Sequence, residues 1–272
     1  MSFIKFLDTL SNQNTMNAKG SRRDAFKQFK TLGKGAAIAS IPFGLAATSK
    51  STKAATMAMS SAAAMQDATA ILNFALTLEY LEKEFYNIAI DTDGLIPAET
   101  MDVFAQISKH EDDHVAFLLN ALGDAAVAKP EFDFTGAPGG LALDTFENYQ
   151  TFLALSQGFE DTGVRAYKGQ AGGLANDPVL LEYALQIHSV EARHASKVRR
   201  LRGEKGWITQ NNHTLPDDFS PIYAGEENTV QGGVDLAGMF DDFGGNDAVT
   251  EAFDEPLTME EVLTVANFFI VD

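Results

Sequence analysis

Residues 71–86 and residues 152–167 share an apolar and polar pattern at a shift of 81. Ile71 matches Phe152, Leu72 matches Leu153, Phe74 matches Leu155 and Leu78 matches Phe159; at the same shift Glu79 matches Glu160 and Tyr86 matches Tyr167. With a shift of 80, Glu111 matches Glu191 and His114 matches His194. Two such matching units can pack against each other about a pseudo-twofold axis through a shared core. The apolar spacing says that each unit is helical. Ile71, Phe74, Leu78, Leu81, Phe85 and Ile88 step by 3 and 4, which draws one stripe down a helix over about Ala64–Ile90. Pro97 stands where a first turn tolerates it, and Ala98–Leu122 carries Phe104, Ile107, Val115, Leu118 and Leu119. Pro130, Gly136, Pro138 and Gly139-Gly140 then mark a long connection. A third helix is predicted over Leu143–Lys168, ended by Gly169, Gly172 and Gly173, and a fourth runs from Asn176-Asp177-Pro178 to about Arg202. Short, long and short connections in that order describe an all-α four-helix bundle with one long crossover.

The polar residues that repeat are the informative ones. The first and third helices each offer one Glu beside the stripe, Glu79 and Glu160; the second and fourth each offer Glu-x-x-His, Glu111 with His114 and Glu191 with His194. Residues at i and i+3 share a helix face, so both side chains of each pair point at one place. Four carboxylates inside an apolar bundle do not all stay ionised unaided, because each unpaired buried charge costs several kcal/mol. Two divalent cations balance four carboxylates and accept two neutral imidazoles as well, an expectation that resembles the dinuclear carboxylate sites built inside some four-helix bundles. A lone Glu-x-x-His is common surface decoration. Both elements twice, in one order and at intervals of 32 and 31 residues, are hard to read that way. Glu82 competes with Glu79 on the same face, but its repeat partner is Gly163, so the repeat favours Glu79.

Composition narrows the chemistry further. The 272 residues, 45% hydrophobic and 21% charged, suit a soluble globular chain. The net charge of −18 is unevenly spread: residues 1–55 carry nine Lys/Arg against two Asp/Glu, and everything after Lys205 has fourteen acids and no Lys or Arg. So acidic a body repels phosphate backbones, which argues against nucleic acid as a partner. The absence of Cys removes disulfides, thiolate metal sites and Cys nucleophiles, leaving oxygen and imidazole as metal ligands. Within the basic segment, Ser21-Arg22-Arg23-Asp24-Ala25-Phe26-Lys27 precedes a weakly apolar stretch, Leu32–Thr48, too short to span a bilayer, and then an Ala-rich region. That grammar resembles a twin-arginine export signal, a route known for carrying folded, cofactor-loaded proteins, and implies a periplasmic or secreted protein that meets a membrane only during export. The expected organisation is a signal over 1–55, the bundle over 56–205, and an irregular acidic extension packed on it over 206–272. Met259–Val271 closes that extension as an amphipathic helix, and Asp241-Asp242 with Asn246-Asp247 lacks the spacing of a calcium loop.

Residues about 66–203 resemble the ferritin-like domain of exported bacterial proteins and are similar to plant desiccation-related proteins. Leu72-Asn73-Phe74-Ala75-Leu76-Thr77-Leu78-Glu79-Tyr80-Leu81-Glu82, Phe159-Glu160-Asp161-Thr162-Gly163, His110-Glu111-Asp112-Asp113-His114 and Val190-Glu191-Ala192-Arg193-His194 carry the likeness. The resemblance implies two Fe or two Mn ions, bridged by Glu111 and Glu191, with Glu79 and Glu160 terminal and one His on each. Tyr86 resembles a tyrosine near the metal in ferritins, there to bond a ligand or pass an electron; a core role for it stays equally open. Some di-iron ferritins place an acid before the Glu of Glu-x-x-His, where this chain has His110 and Val190. That leaves His110 and His188 without assigned roles, and Asp113 and Arg193 as a candidate pair across the bundle. The implied activity is oxidation of Fe(II) or handling of dioxygen or peroxide in stress protection, manganese-catalase chemistry included. The alternative is a non-catalytic stress or cell-surface protein whose metal site is structural or vestigial. Assembly as a homo-oligomer is left open.

Overall fold

The computed structural model describes residues 68–271, so the arginine pair and the basic segment around it lie outside the described residues. Four long helices follow in order: α1 (Ala68–Asp91), α2 (Ala98–Leu122), α3 (Tyr149–Ala171) and α4 (Pro178–Leu201). Asp177 caps α4 by accepting from the N–H groups of Val179 and Leu180, with Pro178 in the first turn, where proline's missing donor costs nothing. α3 begins six residues later than the apolar spacing predicts. Asn148, in an extended conformation, caps it from there, and Leu141, Leu143 and Phe146 ahead of it pack on the core as irregular chain. At its far end α3 continues through Gly169 to Ala171. Gly169 is no terminator: a Cβ there would stand 1.8 Å from the carbonyl oxygen of Leu257, so the glycine is a notch for a crossing backbone.

α1 packs along α2 and α3 along α4, and the two hairpins meet through α1 and α3. The core is two apolar clusters at opposite ends. One joins Ile71, Leu72 and Leu76 of early α1 to Val115 and Leu118 of late α2, Tyr167 of late α3 and Ile187 of α4. The other joins Phe85, Phe104, Phe152, Phe159 and Val198 from the complementary ends. Late α2 and late α3 therefore lie together, so these helices run the same way and the long connection crosses the bundle lengthwise. Phe85 anchors the second cluster, its ring centroid 5.1 Å from Phe152 and 5.0 Å from Phe159. Each such buried ring contributes roughly 1.5–3 kcal/mol.

The extension after α4 folds back over α3. It holds a 3-10 turn (Asp217–Tyr223), a hairpin of β2 (Val230–Gln231) and β3 (Val234–Asp235), and helices α5 (Gly245–Thr250) and α6 (Met259–Ala266). A capping box between Thr258 and Glu261 starts α6. The closing run is helical only through Ala266: beyond it Phe269 buries its ring against Phe159, and β4 (Ile270–Val271) pairs with β1 (Glu131–Phe132) of the crossover. The buried Arg165 of α3 fastens the layer, donating to the carbonyls of Ile222, Ala224 and Glu255 and pairing with Glu226. Among the described residues, no helix is long and apolar enough to cross a membrane.

Candidate metal centre

Between the two apolar clusters lies a polar layer, and the sequence repeat builds it. α1 and α3 each turn one glutamate inward; α2 and α4 each turn a Glu and, three residues on, a His toward the same axis. Glu79, Glu111, Glu160 and Glu191 are all 0% exposed, and His114 and His194 are buried beside them. Ligand atoms of Glu79, Glu111, His114 and Glu191 all lie within 4.8 Å of one another, as do those of Glu111, Glu160, Glu191 and His194. Glu111 and Glu191 belong to both groups. The fold thus brings together all six residues that the repeat singles out, in two overlapping sets.

Crowding sets the electrostatics. His114 Nδ1 is 3.1 Å from Glu79, 2.9 Å from Glu111 and 3.2 Å from Glu191; His194 Nδ1 is 3.0 Å from Glu111 and 3.2 Å from Glu160. Burial alone lowers an imidazole's pKa, but the facing carboxylates outweigh it: His114 is raised far above its ordinary value and His194 to about 11. Burial dominates at Glu111 and Glu191, the two residues common to both groups, lifting Glu111 to about 7 and, helped by the charge of Glu111, raising Glu191 well above the carboxylate range. At Glu79 burial also pushes upward, yet the bonds from His114 and Tyr167 prevail and lower it.

Two tyrosines brace the layer crosswise. Tyr86 of α1 donates to Glu160 of α3 at 2.5 Å, and Tyr167 of α3 donates to Glu79 of α1 at 2.5 Å. The first answers one reading of Tyr86, as a bond to a candidate ligand. Tyr167 is the partner that the sequence reading left out, although the shift of 81 already aligned the two. His110 lies against His194, Nδ1 to Nε2 at 2.8 Å, with stacked rings, and its Nε2 is 2.7 Å from Gln106. His188 instead donates to the carbonyl of Val164, a satisfied helix histidine. Asp113 pairs with Lys109 one turn back, not with Arg193. Glu82 stands outside both four-residue sets, yet it too is buried.

The donor set fits a metal by a direct test. Glu111 Oε1, Glu160 Oε2, both oxygens of Glu191 and Nδ1 of His194 are buried without a hydrogen-bond partner. Native proteins rarely leave such atoms orphaned, because each costs about 1–3 kcal/mol. His194 Nδ1 lies 3.0 Å from Glu111 Oε1 and 3.2 Å from Glu160 Oε2, so these donor atoms crowd one shared space. Oxygen and imidazole donors without sulfur suit divalent metal ions of the harder kind. No curated protein matches the chain. Residues 66–204, more than half of it, match the family of the ferritin-like domain. With that match over the span that forms the four helices and their buried Glu/His layer, the chain belongs to the ferritin-like family.

Proposed function

We propose that the chain is a dinuclear metalloprotein that binds two Fe or two Mn ions and acts on Fe(II), dioxygen or peroxide. The observation that carries this reading is the set of converging, unpartnered donor atoms on Glu111, Glu160, Glu191 and His194. One cation would sit with Glu79, Glu111, Glu191 and His114, the other with Glu111, Glu160, Glu191 and His194. When bound, such a pair supplies redox cycling and Lewis acidity. The protein supplies the rest. Tyr86 and Tyr167 hold Glu160 and Glu79 in place through their hydroxyls, and the apolar clusters on either side keep bulk water from the layer. His110 accepts or donates at the far nitrogen of His194 and so fixes the ring's orientation, the service that metal-bound imidazoles commonly receive. Export by a twin-arginine route belongs to the same proposal, supported by Arg22-Arg23 and the basic composition around them.

The test is elemental analysis of full-length protein purified without added metal, quantified per chain, with Glu79→Gln and Glu160→Gln alongside. About two Fe or Mn per chain, falling by one in each variant, supports the pair and its ligands. Absence of both metals, with none taken up under anaerobic incubation, refutes it. Loaded protein that turns over neither Fe(II) nor peroxide indicates a structural metal site.

A further inference from the structure

Where the extension closes over α3 and α4 it leaves a cavity of about 140 Å³, and none of the six layer residues borders it. Asp161 of α3, Ser196 and Arg199 of α4, Trp207 after α4 and Asp254 ahead of α6 give it a polar and aromatic lining; Val164, Ala195 and Ile208 give it apolar wall. An engineered protein cavity of about 150 Å³ holds benzene, so this space suits a compact organic molecule. Gly206 lets the chain approach α4 beside it: a Cβ there would stand 2.6 Å from Ser196 Oγ and 2.6 Å from Arg200 Nε. The charges on the lining do not cancel. Arg199 forks onto Asp161, its Nε donating at 2.9 Å to one oxygen and a second guanidinium nitrogen donating to the other, and Tyr223 donates to Asp161 at 2.7 Å. That pair is mutually neutral and satisfied. Asp254 is neither. It is partly buried, and among the described residues it has no hydrogen bond and no ion pair. Arg165, which feels its charge, is committed to Glu226 and to three backbone carbonyls. One carboxylate of the cavity is left over, away from bulk water, where its pull on a cation is strengthened.

We propose that this cavity binds a small organic cation, an ammonium group on a compact apolar body, with the ammonium paired to Asp254 and the body held among Ala195, Ile208 and Trp207. The site goes beyond the metal reading and does not depend on it. An anion would meet an uncompensated carboxylate, because Arg199 spends its donors on Asp161 and on the carbonyl of Trp207. A neutral molecule would take water from Asp254 and give no charge in return, and burying an unpaired carboxylate is costly. A cation meets both demands. An ammonium carries three donors; Asp254 accepts one in a charge-assisted bond, and the hydroxyl of Ser196 offers a further acceptor on the same lining.

Trp207 is the single tryptophan of the chain, so tryptophan emission reports on this cavity alone. The probe is benzylamine, cationic at pH 7, titrated into the full chain with emission and heat followed in parallel. Saturable one-to-one binding is expected, about tenfold or more tighter than that of benzyl alcohol, which has the same shape without the charge. Asp254→Asn keeps the shape, removes the charge and abolishes that preference. Ser196→Leu fills the space and abolishes binding of both compounds; the thermal midpoint of each variant verifies that it folds. Equal affinity of the wild type for benzylamine and benzyl alcohol overturns the cation assignment. Absence of saturable binding in both emission and heat overturns the site. Benzylamine binding that survives both substitutions unchanged overturns it too, because the amine then sits elsewhere. Protein that holds no metal yet binds benzylamine in this way supports the cavity site and refutes only the dinuclear reading.

Discussion

Loading the centre with divalent cations expels protons, and electrostatics sets how many. Without metal, four groups of the layer hold protons at pH 6. Burial raises Glu191 well above the carboxylate range and Glu111 to about 7, while the facing carboxylates keep His114 cationic and lift His194 to about 11. A metal-bound carboxylate or imidazole is deprotonated, so two divalent ions displace about four protons, an exchange that leaves the buried charge unchanged. The overall binding constant for the pair then rises about 10⁴-fold per pH unit near pH 6, or roughly a hundredfold per cation. Above pH 7 Glu111 has already lost its proton, and the release falls toward about three per pair. A pH-stat titration of metal-free protein with anaerobic Mn(II), repeated from pH 5.5 to 8.5, reads both quantities. Uptake of two ions at pH 6 with fewer than about two protons released would refute the reasoning, because at least the two imidazoles must give theirs up.

Metal-free protein should lose stability as pH rises. Glu111 and Glu191 have raised pKa values in the fold, so the stability they contribute is full below about 4.5 and is lost on the way up, for Glu111 by about 7 and worth at most about 3 kcal/mol. His194 acts in the same direction between 6.5 and about 11; thermal midpoints across pH 5–9 should slope down without metal and flatten with it. Tyr86→Phe and Tyr167→Phe each remove a hydroxyl bonded to a buried carboxylate, so each should cost about 1.5–3 kcal/mol in urea unfolding. Arg165→Met leaves Glu226 buried and unpaired, at a cost of about 3–5 kcal/mol. Limited proteolysis should then cut within 217–257 before the four helices, and adding Glu226→Gln should restore part of the loss. Phe85→Ala should cost about 3–5 kcal/mol by calorimetry, since its ring is fully buried among Phe152 and Phe159.

The four helices were legible because each advertises itself locally: an uninterrupted apolar period and, for α4, a capping Asp177 followed by Pro178. The reading failed where a distant segment decides. Gly169 looks like a helix terminator, but the backbone of Leu257, far along the chain, dictates it. Met259–Val271 has helical periodicity to its end, yet Phe269 is claimed by Phe159 and Ile270 by Phe132. The start of α3 turned on the extended backbone of Asn148, which an apolar pattern does not encode. The six converging residues were legible for another reason: duplication separates residues held by a shared axis from residues scattered on a surface. Tyr167 carried the same signal as Tyr86 and needed only the same weight.

Where the repeat breaks, it stops guiding. Glu82 faces Gly163 and His110 takes a position that its copy fills with Val190, so pairing by analogy discards one and leaves the other idle. Both belong to the surroundings of the layer: Glu82 beside the gap next to Glu191, His110 against the far nitrogen of His194. The symmetric residues supply two overlapping sets of donors, each of three Glu and one His. The asymmetric residues make the two sets differ in charge and in ring support. A pair of ions held in such a layer would not share one environment: His110 braces His194, and oxygens of both Glu191 and Glu82 lie beside Gly163. Low dielectric magnifies any such difference, since the same displacement of charge counts for far more here than in water. A duplicated bundle can therefore keep its apolar ends nearly symmetric, where packing provides stability, and confine asymmetry to the few residues around its buried Glu/His layer.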